Sequence, residues 1–212
     1  MHYDPDNKKM LQYVLTCAKD SGFTTNLYFS ANPLKRYFVR TNLMKFITAV
    51  KNVRNKKDVL DFGPGLSRIF DRITGLDIDE NQCLSAKKII RDNSIPNVNV
   101  VCKSPDVEFE DFQDESFDCI IAHNVLEHIR YHEQILWNFY CILRQDGQLI
   151  VSLPSENIIY RTFESKNYGH FLRSSKEIQA LLRDIGKYFK EVENLDIKPI
   201  FLTRIFLKAM KV

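Results

Sequence analysis

The chain has 212 residues, enough for one domain with a sizeable core, and its 44% hydrophobic and 27% charged shares are those of an ordinary soluble fold. A net charge of +3 is too small to argue for a nucleic-acid partner. A polar N-terminus without a leader peptide, and the lack of any apolar run long enough to span a bilayer, lead us to expect a cytoplasmic protein. Charge is unevenly spread: Ser21 to Lys57 holds bases and no acid, and Ser104 to Glu127 holds acids and no base, which reads as two solvated faces. The five cysteines are scattered without metal-ligand spacing, so they read as small core residues in a reducing compartment, and no metal is expected.

Taken in order, Asp4-Pro5 opens a first helix, with Leu11, Val14, Leu15 and Ala18 at helical spacing and Gly22 as its stop. Asn32-Pro33 opens a second, reaching roughly to Val53, with Leu34, Tyr37, Phe38, Thr41, Met44, Ile47 and Val50 as its apolar face. Residues 1–56 are therefore expected to form a helical cap on a domain spanning 57–212, the two making one globular unit. Val59, Leu60 and Phe62 read as a buried strand that contains a carboxylate, Asp61, and runs into Gly63-Pro64-Gly65. Ile73 to Ile78 is the second strand, ending in Asp77 and Asp79. Glu80 to Asp92 is helical, with Cys83, Leu84, Ala86, Lys87 and Ile90 on one face, and Val98 to Cys102 is the third strand. Asp118 to Ala122 is the fourth, with the near-continuous apolar run of a central parallel strand. One helix is expected from Leu126 to Leu143, then a turn at Asp146-Gly147, a fifth strand from Gln148 to Leu153, and a helix from Ser174 to Tyr188. Val192 to Ile197 and Thr203 to Met210 read as closing strands, the second alternatively as an amphipathic helix; the basic, apolar stretch from Lys198 to Lys211 suits an edge strand or contact with an anionic or membrane-borne substrate. Alternating strands and helices imply an α/β fold, a Rossmann-like, doubly wound, mostly parallel seven-stranded sheet with N-terminal helices capping its cleft.

In such sheets ligands lie beyond the carboxyl ends of the strands. The residues there carry a resemblance. VLDFGPGLS (59–67), ITGLDIDENQCLSAKK (73–88), PDVEFEDFQDESFDCIIAHNVLEHI (105–129) and LRQDGQLIVSLP (143–154) resemble the class I S-adenosylmethionine-dependent methyltransferases, the small single-domain type similar to the ubiquinone-biosynthesis group. The resemblance covers most of the chain after residue 58. It implies an enzyme that binds S-adenosylmethionine, yields S-adenosylhomocysteine, and moves the methyl group to an O, N or C acceptor on a small molecule, glycan or lipid-linked substrate. It also implies roles. Gly63, Pro64 and Gly65 pass close to the methionine and ribose, with Asp61 holding the turn. Asp77 takes the ribose hydroxyls beside Ile78, Asp106 and Val107 meet the adenine, and His123 and Asn124 line the cofactor. A residue of the second helix, Arg36, Tyr37 or Arg40, reaches the methionine carboxylate. Two departures are visible: Ser67 stands for the third glycine, and eleven residues separate Gly65 from Asp77, a short crossover that leaves Asp77 or Asp79 as the ribose acid.

Methyl transfer from a sulfonium is an in-line displacement, so the protein supplies alignment and, for an acceptor that must lose a proton, a base. Histidine suits that role near neutral pH. His123, His128 and His170 are the candidates, and His132 reads as an exposed helix residue. Glu127 reads as a partner for a neighbouring base or as a helix cap. Ser155 to Arg173, polar and aromatic, reads as the acceptor loop, with Glu156, Asn157 and Tyr160 facing substrate and His170 and Arg173 near it. A nicotinamide oxidoreductase is disfavoured by Arg68 where G-x-G-x-x-G needs its third glycine. A catalytically silent cofactor-binding module and an RNA methyltransferase using the basic N-terminal helix are the alternatives. No nucleic-acid partner is expected, and the chain is expected as a monomer or homodimer.

Overall fold

The computed structural model describes residues 31–51, 53, 57–62, 70–92, 94–103, 109, 112–154, 175–194 and 204–212. Seven strands run β1 Asp58–Phe62, β2 Arg72–Asp77, β3 Val98–Cys102, β4 Phe117–His123, β5 Leu143–Pro154, β6 Lys190–Asn194 and β7 Arg204–Met210. They form one sheet in the order β3-β2-β1-β4-β5-β7-β6, with β1 to β5 parallel and β7 antiparallel to both neighbours. The order reverses between β1 and β4, which puts the switch point, and the crevice it creates, over Phe62 and His123. Four α-helices are described: α1 Pro33–Lys51, α2 Glu80–Asp92, α3 His132–Ile142 and α4 Ser175–Tyr188. Among the described residues, no helix is long and apolar enough to cross a membrane.

Alternation along the strands splits the core in two. Val59, Ile73, Cys119, Ile121 and Ile150 pack on one face against Phe46, Ile47 and Val50 of α1. Leu60, Leu76, Ile120, Leu149 and Val151 pack on the other against Ile135, Leu136 and Phe139 of α3 and Ile178, Leu181 and Ile185 of α4. At about 1.5–3 kcal/mol for each fully buried large apolar side chain, these two layers are the main source of stability.

The amino end of the sheet is tied by charge. Arg144 bridges Asp58 at 3.1 Å and Asp118 at 2.8 Å, Arg72 pairs with Asp58, and Asp118 accepts the Asp58 backbone N–H at 2.9 Å. Four strands, β1, β2, β4 and β5, are thereby joined. The Arg72 hydrogen bond is the main reason that the Asp58 carboxyl is held below the usual carboxylate range; Arg144 adds to it, and partial burial opposes both.

Several expectations need correction. The helix expected over Leu126–Leu143 is two pieces: a 3₁₀ turn, Leu126–His128, then α3. Ile129 is extended (φ −95°, ψ 135°) and buried, so the chain drops an apolar residue into the core between the pieces. His132, expected to be exposed, is half-covered, and its Nε2–H donates to the Leu126 carbonyl at 2.9 Å, tying the two together. Asp146-Gly147 does not separate α3 from the fifth strand. β5 starts at Leu143 and bulges opposite Phe117 and Cys119, with Asp146 at φ 60°. That excursion is what brings Arg144 to Asp58 and Asp118. Gly147 has no room for a side chain, since a Cβ would lie 2.3 Å from Leu143 Cδ2 and 2.7 Å from the Arg144 carbonyl oxygen.

The α1 face is also shifted. Leu34 and Tyr37 are 59% and 64% exposed, while Phe46, absent from the expected face, is fully buried. On α2, Leu84 is exposed where an inward position was expected. The last segment is a strand rather than a helix, and it lies inside the sheet; β6 is the edge. Lys211 ends there as a buried cation, donating to the Leu143 carbonyl at 2.7 Å and lying 4.7 Å from the Tyr140 ring centroid. The expected first helix, the acceptor loop and Cys17 lie outside the described residues.

Candidate active site

The carboxyl ends of β1, β2 and β4 carry most of the described residues that the resemblance singled out. Asp61 is a buried carboxylate on β1, in register with Gly75 on one side and Ile121 on the other. Asp77 closes β2 and Asp79 follows it, and the two acids do different work. Asp79 is the N-cap of α2: its Oδ1 accepts the backbone N–H groups of Asn81 at 2.8 Å and Gln82 at 3.2 Å. Asp77 accepts the Asp79 N–H at 3.0 Å. Burial pushes the Asp77 carboxyl above the usual carboxylate range and the negative charge of Asp79 adds to this, against the lowering effect of the Asp79 and Ile78 N–H groups. Ile78 is 60% exposed, an apolar side chain turned to solvent beside the strand-end acid.

The expectation of free cysteines fails next to Asp77. Cys102 is the register partner of Asp77 on β3, and the first turn of α2 carries Cys83 over it. Their Cα atoms are 5.9 Å apart, within disulfide range, and the two sulfurs are bonded. This cross-link removes the cysteine argument for a reducing compartment. Cys119 and Cys141 are free; burial, helped by Asp61 and Asp118, pushes the Cys119 thiol far above its ordinary value, which suits an inert core residue.

At the end of β4, His123 stacks on Phe46 of α1, with ring centroids 3.8 Å apart and planes 20° from parallel. The neighbouring strand supplies Ser152, fully buried and in register with His123. Its Oγ lies 2.7 Å from His123 Nδ1, donates to Asn124 Oδ1 at 2.9 Å, and accepts the Asn124 N–H at 3.0 Å. Asn124 Nδ2 in turn lies 3.3 Å from His123 Nε2. Asn124 has φ 58°, a left-handed conformation that asparagine tolerates better than most residues, and this turns the chain out of the strand. Phe46 and Ser152 were missed from the sequence. Ser152 lies at period 2 from Ile150 on the α1 face, but only the β4–β5 register reveals its partner.

The remaining candidates are placed as follows. Arg40 lies on α1, six residues before Phe46, half-covered. His128 is exposed on the 3₁₀ turn, five residues after His123. Glu127 is fully buried in the same turn. Gly63, Pro64, Gly65, Asp106, Val107 and His170 lie outside the described residues. Among those described, no group of histidine, cysteine, aspartate or glutamate is arranged to hold a metal.

The family model described as "Methyltransferase domain" matches residues 60–151, the stretch from β1 through most of β5. The chain is similar to the S-adenosylmethionine-dependent methyltransferases. It is 27% identical over 154 residues to a ubiquinone/menaquinone biosynthesis C-methyltransferase, UbiE, of Blochmanniella pennsylvanica, a match over 66% of this chain and 59% of that protein. Thus the match spans somewhat under two thirds of that relative's length. Among solved structures, a Pyrococcus horikoshii OT3 protein shares the fold with a TM-score of 0.66 at 14% identity, over 90% of this chain and 96% of that one. The N-methyltransferase NodS of Bradyrhizobium japonicum, solved with S-adenosylhomocysteine, gives a TM-score of 0.61 at 13% identity, over 92% and 96%. The methyltransferases that the chain resembles use S-adenosylmethionine, and Asp77 suits that cofactor. A carboxylate offers about four acceptor positions, more than the two backbone N–H groups use. Hydroxyl donors there would favour the ionised form that burial now disfavours.

Proposed function

We propose that the carboxyl edge of β1, β2 and β4 binds S-adenosylmethionine, and that the chain moves its methyl group by in-line displacement to an acceptor on a small molecule, glycan or lipid-linked substrate. The observation that carries the reading is Asp77, a strand-end acid whose carboxyl is held up by burial while Asp79 is occupied in capping α2. In this reading Asp77 accepts from the two ribose hydroxyls, and exposed Ile78 lies against the base. Gly63, Pro64 and Gly65 let the backbone approach the ligand over Asp61, and Asp106 and Val107 meet the adenine. Arg40 pairs with the methionine carboxylate. His123 and Asn124 close the cleft from β4, and α1, as part of the 1–56 cap, seals it through Phe46.

When bound, the cofactor supplies the electrophilic methyl group. The protein's own contribution is orientation, exclusion of water, and proton transfer where the acceptor needs it. His123 is the base candidate that belongs to the strand-end network; His128, exposed on its turn, and His170, beyond the described residues, remain the alternatives. The name of the Blochmanniella relative favours a carbon acceptor, and that of NodS a nitrogen. Both are compatible with a site whose fixed parts all face the cofactor.

The test is transfer of a tritiated methyl group from S-adenosylmethionine into a cell extract fractionated into lipid, glycan, RNA and small molecules. Label in the lipid, glycan or small-molecule fraction supports the reading. Label confined to RNA overturns the acceptor class, and tight cofactor binding with no label anywhere identifies a silent module.

A further inference from the structure

Ser152 contributes one hydroxyl proton to a network of four contacts, and this limits how the protons can be arranged. Its Oγ–H points to Asn124 Oδ1 at 2.9 Å, and its lone pairs face the Asn124 N–H at 3.0 Å. With the Asn124 amide oriented so, the 2.7 Å contact to His123 is Nδ1–H donating to Oγ. Nε2 is then the lone-pair nitrogen, and it accepts from Asn124 Nδ2 at 3.3 Å, the longest contact of the set. Phe46 lies flat against the ring, and Ser152 is itself fully buried.

We propose that Ser152 is a positioning residue: its hydroxyl locks His123 and Asn124 as a unit at the end of β4, with His123 as the Nδ1–H tautomer and Nε2 as its single basic nitrogen. The long, weak Nε2 contact is the one that an incoming acceptor's proton would replace, and a change of the Asn124 amide would accompany it. The reverse orientation of that amide would select the opposite tautomer, so the position of the His123 proton also reports which way the Asn124 amide is turned. The inference rests on the reading that His123 and Asn124 face the cofactor only for its consequence in the reaction; the lock itself belongs to the protein alone.

The experiment is ¹⁵N-detected NMR of the histidine side chains in the full-length protein without cofactor, comparing wild type with Ser152→Ala and assigning His123 through His123→Gln. Wild type is expected to show one protonated and one unprotonated nitrogen at His123, with the proton on Nδ1. Ser152→Ala is expected to retain its fold by circular dichroism while the two nitrogens move toward averaged positions. Parallel calorimetry is expected to show S-adenosylhomocysteine binding to Ser152→Ala about 5–20-fold more weakly, the range for losing one hydrogen-bonded support of a contact residue. A proton on Nε2 in wild type, or averaged tautomers in both proteins, would overturn the lock. A fixed Nδ1–H tautomer in a wild type that binds no cofactor would leave the lock standing and sink the functional reading instead.

Discussion

The two ends of the sheet are built from similar residues put to opposite uses. At the amino end, Asp58 and Asp118 are matched by Arg72 and Arg144, and pairing holds the Asp58 carboxyl low. At the carboxyl end, Asp61 is buried and Asp77 half-buried on neighbouring strands, and burial holds the Asp77 carboxyl high. Acids whose charge is neutralised by the protein hold the sheet together. An acid whose charge burial disfavours is, in the function proposed above, stabilised by the ligand brought to it. The contrast separates stability from binding by position along the same strands, and mutations can be chosen to break one without the other.

The largest effect is expected where the two purposes meet. Phe46 is fully buried between α1 and the sheet and also stacks on His123, so Phe46→Ala should cost about 3–5 kcal/mol in a urea melt and weaken cofactor binding as well. At the amino end, Asp118→Ala leaves the Asp58 N–H and part of Arg144 without an acceptor. It should cost about 2 kcal/mol in the same melt, with cofactor affinity of the folded protein unchanged. At the carboxyl end, Asp77→Asn should weaken S-adenosylhomocysteine binding about 10–100-fold by calorimetry, the range for a hydrogen bond to a charged group. The same substitution should raise the melting temperature of the ligand-free protein, since it removes a charge that burial disfavours while keeping an acceptor for the Asp79 N–H.

Much of this contrast was legible beforehand. The alternation of strands and helices gave the fold, and the apolar run of β4 gave its central place. The Asn32-Pro33 start is realised, with Asn32 Oδ1 accepting the Leu34 N–H at 3.0 Å. The choice between Asp77 and Asp79 was not legible, because both follow the second strand; only the cap geometry separates them. Nor was Ser152, whose partner depends on how β4 and β5 align. The break at Ile129 hides in a periodic run because an extended buried residue looks like one more apolar helix position. The Cys83–Cys102 bond is long-range in sequence and follows from the α2 first turn lying over β3, which no spacing rule encodes.

The smallest effect distinguishes the two ends by pH. Asp58 has its folded pKa lowered, so its contribution to stability is present above the unfolded value, about 3.9, and is lost as pH falls through the folded one. Asp77 has its folded pKa raised, so its contribution has the opposite sign: a destabilisation present above the folded value and relieved as pH falls through it toward the unfolded one. Asp58→Asn should therefore flatten the acid limb of a stability–pH curve below about pH 4. Asp77→Asn should alter the curve above that point.

The central claim is that the carboxyl edge, and not the amino edge, binds S-adenosylmethionine. Calorimetric titration of the full chain with S-adenosylmethionine, with NAD as the control, tests it most directly when repeated on Asp77→Asn and Asp118→Ala. One-site binding of S-adenosylmethionine but not NAD, lost in Asp77→Asn and kept in Asp118→Ala, is the predicted result. Binding that survives Asp77→Asn unchanged, or no binding of S-adenosylmethionine at all, would contradict it.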